Sequence, residues 1–373
     1  MQLDVVELTK EFISMPSVSR WSNEAITDRM QQLIEAQGGW EIERTYYVDV
    51  NGERKINLIA KLGTGTGGVA FCSHNDTVPG QEQDWPAFTP EIKGDKLFGR
   101  GSCDMKGPLA ATMIAAFSVD PAMLKKPIYI IITADEELGL DGARFMANTS
   151  VLLRDSHPEY GVIAEPTNMI PVYSHKGYGG AKVTALGRAA HSSTGLGISA
   201  NLLMAPFLAD MAELDQQLQT DESFLNYEYT PPHHTLNLTI DDGNCATNVT
   251  CPKTVVSISV RSMPNSRSKE VTEMIAAKAR HYGFEVETRY NDALYSSVDS
   301  TLIQTSVALT GRQPETVSYG TDGQFLQEHM DEVVILGPGG IDVAHTTEEF
   351  VSIQELHEAI DVYTQLIQRF CID

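Results

Sequence analysis

The sequence of 373 residues predicts an α/β protein: a mixed, mostly parallel sheet flanked by helices, with an inserted α+β domain. Two observations lead to this fold class. Short apolar runs, typical of sheets covered on both faces, recur along the chain. Between residues 177 and 290 the strands instead alternate apolar and polar residues, which indicates a sheet with one solvated face. We therefore predict one domain from residues 1–176 and 291–373 and an inserted domain from residues 177–290.

The elements of the first domain follow from apolar periodicity. Val5, Leu8 and Phe12 share one face of a helix, and the same pattern repeats from residue 26 to residue 33. A third helical stretch covers Leu109–Phe117. Buried strands are predicted at Ile56–Leu62, Val69–Cys72, Pro127–Thr133, Tyr160–Ala164 and Val333–Leu336.

The glycine-rich segment Gly63–Gly68 has the spacing of a dinucleotide-binding loop. It joins one apolar strand to another, however, and does not open a helix. We therefore interpret it as a hairpin turn between two neighbouring strands.

The inserted domain is predicted to contain two alternating strands, Leu236–Ile240 and Thr254–Val260. Two helical stretches, Asn201–Gln219 and Lys269–Tyr282, accompany them. After this domain, Ser352–Glu355 has the sequence of a capping box, which predicts a final helix.

The composition excludes several classes of partner. Lys and Arg number 27 and Asp and Glu number 50, and the resulting net charge of −23 would repel phosphate backbones and anionic membranes. The chain has no run of 18 apolar residues, and its first residues lack the basic region of a signal peptide. The five cysteines include no Cys-x-x-Cys pair. We expect a cytoplasmic protein that binds neither nucleic acid nor membranes.

Residues able to bind metal recur where the predicted strands end. His74 and Asp76 follow the strand Val69–Cys72 and, two residues apart in extended chain, point the same way. An imidazole can bind a divalent metal while a nearby carboxylate orients it. Asp104 lies in a glycine-rich turn before a helix. It is either a helix cap or a carboxylate held in place to bridge two metals.

Three consecutive acids, Asp135–Glu137, follow the strand Pro127–Thr133. They are either the solvated first turn of a helix, or a group in which one glutamate binds metal and the other, its pKa raised by crowding, is a general base. Glu165 follows the strand Tyr160–Ala164, and His345 follows the last strand. The carboxyl ends of parallel strands converge. Two histidines and several acids without thiolates therefore predict a site for one or two zinc ions.

Five segments at these strand ends resemble the di-zinc superfamily of acetylornithine deacetylases, succinyl-diaminopimelate desuccinylases, aminoacylases and glutamate carboxypeptidases. The segments are Ser73–Pro79, Gly99–Gly107, Thr133–Glu137, Glu165–Thr167 and His345–Glu349. The resemblance covers nearly the whole chain. Finer features, such as Lys125-Lys126-Pro127 and Leu336-Gly337-Pro338-Gly339, are most similar to the acetylornithine deacetylases. The segment Tyr319–Phe325 is closer to the general superfamily pattern.

Carried over residue by residue, the resemblance implies two Zn²⁺ ions per subunit, which Co²⁺ could replace. The implied ligands are His74 and Glu165 for one ion, Glu137 and His345 for the other, and Asp104 as a bridge between them. Asp76 would orient His74. Glu136 would take a proton from the attacking water and pass it to the leaving amine.

For the inserted domain, the resemblance implies a homodimer. His191, in the segment Gly187–Ser193, matches a histidine that reaches the partner subunit's active site, where it would donate to the oxyanion. Asn244 and Arg261 match positions that contact the substrate carboxylate, for which a guanidinium is suited by its bidentate geometry. A structural role for Arg261 at a strand end is the alternative.

The implied activity is a zinc-dependent amidohydrolase that removes the acyl group from a small N-acyl amino acid, first of all N-acetyl-L-ornithine in arginine biosynthesis. Alternatives with the same chemistry are a succinyl-diaminopimelate desuccinylase, an acetylcitrulline deacetylase and a metallo-carboxypeptidase or dipeptidase. From a different class, the chain could be a non-catalytic metal-binding or amino-acid-binding module with this fold.

Overall fold

The structure, a computed structural model, describes residues 3–80, 85–264 and 267–373. The strands in these residues are β1 (Trp40–Val48), β2 (Arg54–Leu62), β3 (Val69–His74), β4 (Glu91–Lys93), β5 (Lys96–Phe98), β6 (Ile128–Thr133), β7 (Tyr160–Ile163), β8 (Val172–His175), β9 (Gly177–Leu186), β10 (Thr235–Asp241), β11 (Lys253–Ser262), β12 (Glu285–Asn291), β13 (Glu315–Val317), β14 (Glu332–Ile335) and β15 (Phe350–Ser352). The α-helices are α1 (Val5–Ile13), α2 (Glu24–Glu35), α3 (Gly107–Phe117), α4 (Asp141–Thr149), α5 (Val151–Ser156), α6 (Ala200–Thr220), α7 (Arg267–His281), α8 (Thr301–Thr310), α9 (Gly323–Leu326) and α10 (Ile353–Ile367).

The largest sheet has eight strands in the order β1-β2-β6-β3-β7-β14-β8-β13. Its four central strands, β6, β3, β7 and β14, run parallel to one another, and β2 pairs antiparallel with both β1 and β6. All six residues of β3 and of β6 are buried, as expected of strands covered on both faces. The predicted mixed, mostly parallel α/β fold is confirmed.

The interpretation of Gly63–Gly68 as a hairpin turn was wrong. The strands on its two sides, β2 and β3, are not neighbours, because β6 lies between them and pairs with both. The apolar residues on either side of Gly63–Gly68 cannot show which strands pair in the sheet, because β6 comes from residues more than fifty positions later in the chain. The edge strand β1 was not predicted, because its charged and apolar residues do not form a continuous apolar run.

Helices cover the large sheet. The apolar helix α3 packs against α1 and α10, and the ring of Tyr363 in α10 contacts Phe71 of β3 at a centroid distance of 5.3 Å. The predicted final helix is present, and the Ser352 side chain caps it by accepting a hydrogen bond from the backbone N–H of Glu355. The reciprocal half of the capping box does not form, because Oε2 of Glu355 instead accepts the backbone N–H of Gly339 at 2.7 Å. This packing holds the parallel strands rigidly and so fixes where their carboxyl ends lie.

The chain divides into two compact units. The first takes the chain up to Ser174 together with Ser296–Glu315 and Thr321–Asp373, and the second takes His175–Tyr295 and Thr316–Gly320. The second unit contains a four-stranded sheet in the order β10-β11-β9-β12. The helices α6 and α7 bury their apolar residues against it, around a core that includes Phe207. Among the described residues, no helix is long and apolar enough to cross a membrane.

Candidate metal centre

The first group of predicted ligands lies at the carboxyl ends of β3 and β7. His74 is the last residue of β3, and Glu165 follows β7. The Nε2 atom of His74 is 3.1 Å from Oδ1 of Asp104 and 3.6 Å from Oε1 of Glu165. All three side chains are buried, and their ligand atoms lie within 4.8 Å of one another.

The second group uses the other oxygen of the same aspartate. Nε2 of His345 is 3.2 Å from Oδ2 of Asp104 and 3.0 Å from Oε2 of Glu137, which follows β6. Asp104 lies in the turn Ser102–Lys106 before α3, so it presents one carboxylate oxygen to each group. His345 is half exposed, which leaves the second group open on one side. The arrangement has the form of two adjacent metal positions that share one carboxylate.

The buried carboxylates of this cluster lie close together, and a bound cation would offset their mutual repulsion. Burial, together with the charge of Glu165, raises the pKa of Glu136 well above its usual range. Burial and the charge of Asp104 likewise raise the pKa of Glu137. Burial alone would also raise the pKa of Asp104, but hydrogen bonds with His345 and His74 lower it. Two imidazoles and three carboxylates without a thiolate suit zinc, and a divalent cation would neutralise the crowded carboxylates.

Asp76 connects the histidine to the acidic turn. Nδ1 of His74 lies 3.0 Å from the backbone oxygen of Asp76 and 3.4 Å from its carboxylate, so Nε2 is left to face the ligand group. The two carboxylate oxygens accept the backbone N–H groups of Glu136 and Glu137 at 3.1 and 3.3 Å. Ser19 donates to the same carboxylate at 2.7 Å. One buried aspartate therefore orients both His74 and the turn that presents the two glutamates.

Sequence reasoning missed a buried ion pair beneath this turn. Nζ of Lys55 is 2.7 Å from Oδ1 of Asp135, and the hydroxyl of Tyr47 donates to Oδ2 at 2.7 Å. Asp135 has a φ of 54°, a left-handed conformation that few residues other than glycine adopt. The only signal in the sequence is a lysine inside the buried strand β2. The pair holds in place the residue that immediately precedes Glu136.

A second missed group supports the shared aspartate. Oε1 of Glu349 accepts the backbone N–H groups of Cys103 and Asp104 at 3.2 and 3.3 Å. Its other oxygen is 2.5 Å from the guanidinium of Arg100, and both side chains are almost fully buried. Glu349 belongs to a segment already associated with the site, but nothing in the sequence distinguishes it from its exposed neighbour Glu348.

A further buried acid, Asp322, was also missed. It accepts a hydrogen bond from the hydroxyl of Thr133, the last residue of β6, and burial raises its pKa to about 7. Its charge adds to that of the cluster, because it raises the pKa of Glu136 and of Glu165. The segment Tyr319–Phe325 resembles the general superfamily pattern, but nothing in its sequence marks Asp322 as a buried acid of the site.

The other three predicted residues lie in the second unit, and all are exposed. His191 precedes the short helical turn Ser192–Thr194, and its Nδ1 is 2.7 Å from the hydroxyl of Ser193. Asn244 has a φ of 54° in the turn after β10. Arg261 lies near the end of β11, with its guanidinium 5.9 Å from the centre of the Tyr178 ring.

Comparison with known proteins decides the family. The model of peptidase family M20/M25/M40 matches residues 70–369, which include every residue of both ligand groups. The chain belongs to this family. It is a metal-dependent hydrolase, and the resemblance to the di-zinc superfamily is confirmed.

Among curated relatives, this M20 protein is 32% identical to the acetylornithine deacetylase of Proteus mirabilis and 31% identical to that of Photorhabdus laumondii, in each case over 98% of this chain and 97% of the relative. Solved structures share the fold at lower identity. A tripeptidase from Staphylococcus aureus superposes with a TM-score of 0.77 at 19% identity and 99% coverage of both chains. A metallo-carboxypeptidase from Sulfolobus solfataricus gives a TM-score of 0.74 at 17% identity, covering 98% of this chain and 99% of that one.

Proposed function

We propose that this M20 hydrolase removes the acyl group from N-acyl amino acids and that its main substrate is N-acetyl-L-ornithine, which it converts to L-ornithine and acetate. The observation that carries the proposal is the pair of ligand groups sharing Asp104, directly beside the turn that holds Glu136. The relatives named as acetylornithine deacetylases support the choice of substrate. A cytoplasmic place in arginine biosynthesis follows if that substrate is correct.

The ligand set we propose is His74 and Glu165 for one zinc ion, Glu137 and His345 for the other, with Asp104 contacting both. Bound zinc would supply Lewis-acid polarisation of the amide carbonyl and a lowered pKa for the attacking water. Co²⁺, which also accepts imidazole and carboxylate ligands, could replace it.

The chain's own residues move the proton. Glu136 takes it from the attacking water and releases it to the leaving amine. Asp76 keeps the backbone of Glu136 in place by accepting its N–H, so the base does not have to be repositioned during the reaction.

For the second unit we propose the role of a dimerisation domain. It exposes several large apolar side chains, with Leu196 at 68%, Leu202 at 76% and Ile240 at 53% of their maximal accessible surface. In the resulting homodimer, His191 would donate a hydrogen bond to the developing oxyanion in the partner subunit's site. Asn244 and Arg261 would contact the substrate carboxylate.

The test is amine release by the zinc-loaded protein, with a chelator control for each substrate. The panel is N-acetylornithine, N-acetylcitrulline, N-acetylmethionine, N-succinyl-diaminopimelate and a dipeptide. We expect chelator-sensitive hydrolysis with the highest kcat/KM for N-acetylornithine. A preference for another substrate of the panel would keep the proposed chemistry and change the proposed substrate. If none of the substrates is hydrolysed, the result would favour a non-catalytic binding module.

A further inference from the structure

Two cysteines of the second unit lie on either side of one loop. In the β10–β11 hairpin Asp241 pairs with Val255, and four residues further along each strand this register would bring Cys245 opposite Cys251. The regular ladder ends at Asp241, but both cysteines remain close to Asp242. The backbone N–H of Cys245 donates to its carboxylate at 3.4 Å, and the thiol of Cys251 lies 3.6 Å from its backbone oxygen.

The thiol of Cys245 lies 3.6 Å from the backbone oxygen of Val249, two residues before Cys251. Partial burial, followed by the charge of Cys251, raises the pKa of the Cys245 thiol. A disulfide spans Cα atoms about 4.4–6.8 Å apart, and the cross-strand pairs of the hairpin that leads into this loop have a Cα spacing of about 4.5–5.5 Å.

The other three cysteines differ from this pair. Cys72, Cys103 and Cys371 are each at most 1% exposed in the first unit. Burial shields these three sulfur atoms from a peroxide in solvent and also raises the pKa of each thiol. Cys245 is the only cysteine of the chain with appreciable exposure, and all five are described by the structure.

The loop between the two cysteines is bound to the segment that carries His191. The backbone N–H of Ser192 donates to the oxygen of Asn248 at 2.9 Å, and that of Thr250 donates to the oxygen of Ala190 at 2.9 Å. An isolated β-bridge joins His191 to Val249. A covalent link at the base of the loop would therefore restrain the backbone around His191.

We propose that Cys245 and Cys251 form a reversible redox pair, which a hydroperoxide closes into a disulfide that restrains the loop 246–250 and the segment carrying His191. The Cys245 thiolate attacks the peroxide, so that an S–O bond forms, the O–O bond breaks and one water leaves, giving a sulfenic acid. The sulfur of Cys251 then attacks that sulfur, an S–S bond forms, the S–O bond breaks and a second water leaves. Two thiols are oxidised by two electrons, and one hydrogen peroxide is reduced to two waters.

The test uses the full-length, zinc-loaded chain treated with one equivalent of hydrogen peroxide at about pH 8.5, because the thiolate is the nucleophile and its pKa is raised. Cleavage after Arg188 and Lys253 yields the peptide Ala189–Lys253, which contains both cysteines and no other. We expect this peptide to lose two hydrogen atoms, to resist alkylation, and to recover both thiols with dithiothreitol.

The matched variants are Cys245→Ser, which should abolish the mass loss, and Cys371→Ser, which should keep it. Hydrogen exchange supplies a second readout, since the amides of Ser192 and Thr250 should exchange about tenfold more slowly in the oxidised protein. The proposal is overturned if the peptide remains fully alkylatable, if it gains oxygen to form sulfinic acid instead, or if Cys245→Ser still loses two hydrogens. None of these readouts depends on hydrolysis of a substrate, so the failure of the proposed function would be seen separately.

Discussion

The ligand groups of the first unit and the loops of the second unit position their polar side chains in opposite ways. His74, Asp104 and Glu165 are buried, and buried partners from distant parts of the chain hold them or the turns around them. The side chains of His191 and Asn244 are exposed: the ring of His191 contacts the hydroxyl of Ser193, and Asn244 lies in a turn with a φ of 54°. The first arrangement concentrates charge where water is scarce, and the second leaves its groups in solvent.

The difference shows which unit favours metal binding. Crowded buried carboxylates are unfavourable unless a cation or a proton neutralises them, so the first unit is built to take up metal. Exposed groups carry no such desolvation penalty. They gain a precise role only when another surface meets them, as in the proposed dimer.

The sharpest test of the first unit is Glu136→Gln, which removes the proposed base and leaves the metal ligands untouched. We expect kcat to fall by about 10²- to 10⁴-fold. Bound zinc, measured by elemental analysis, should remain at the wild-type level. The exposed Glu53→Gln is the control and should keep full activity. A variant that retains more than a tenth of wild-type kcat, or that loses zinc, would contradict the assignment of the base.

The next test breaks the buried support beneath the acidic turn. Lys55→Met leaves Asp135 buried without its cation, and we expect a loss of about 3–5 kcal/mol in the free energy of unfolding. Urea unfolding in the presence of chelator measures it. The double variant with Asp135→Asn should recover most of the loss. The exposed Lys93→Met should change the stability by less than about 0.5 kcal/mol, and a similarly small effect of Lys55→Met would refute the role of the pair.

For the second unit, His191→Ala should lower kcat by about 10²- to 10³-fold, the usual effect of removing an oxyanion donor. Since the side chain is exposed, zinc content and thermal stability should not change. His357→Ala, an exposed histidine of α10, is the control. If kcat is unaffected, His191 does not stabilise the oxyanion and is only a surface residue.

The smallest effect concerns the stability of the metal-free protein. Burial raises the pKa of Glu165 in the folded protein well above its usual range. The contribution of this carboxyl group to the free energy of unfolding is therefore largest at low pH. It declines as the pH rises from the pKa of the unfolded state towards the pKa of the folded state. Metal-free Glu165→Gln should therefore have a Tm about 2–4 °C above that of the metal-free wild type at pH 8. Added zinc should raise the Tm of the wild type more than that of the variant.

The exposed Glu328→Gln serves as the control for this measurement and should leave the Tm unchanged with and without zinc. If the metal-free Glu165→Gln variant has a lower Tm than the metal-free wild type at pH 8, the buried carboxylate does not destabilise the metal-free protein.

Much of the site could be predicted because strand ends are visible in the sequence. Continuous apolar runs located β3, β6, β7 and β14, and the residues after each run proved to face one another. The order of the strands could not be predicted in the same way, as the wrong hairpin at Gly63–Gly68 shows. Pairing of β6 between β2 and β3 depends on contacts between residues far apart in the chain.

The sequence by itself determined the residue types, their places after buried strands, the charge and the family, because apolar periodicity and short motifs are local properties. Only the tertiary structure decided that Asp104 faces two histidines and that Lys55 lies beneath the acidic turn. The same holds for the contact of Glu349 with the backbone of Asp104. Each of these contacts joins residues at least thirty positions apart, and packing of the whole fold, which no local pattern reports, brings them together.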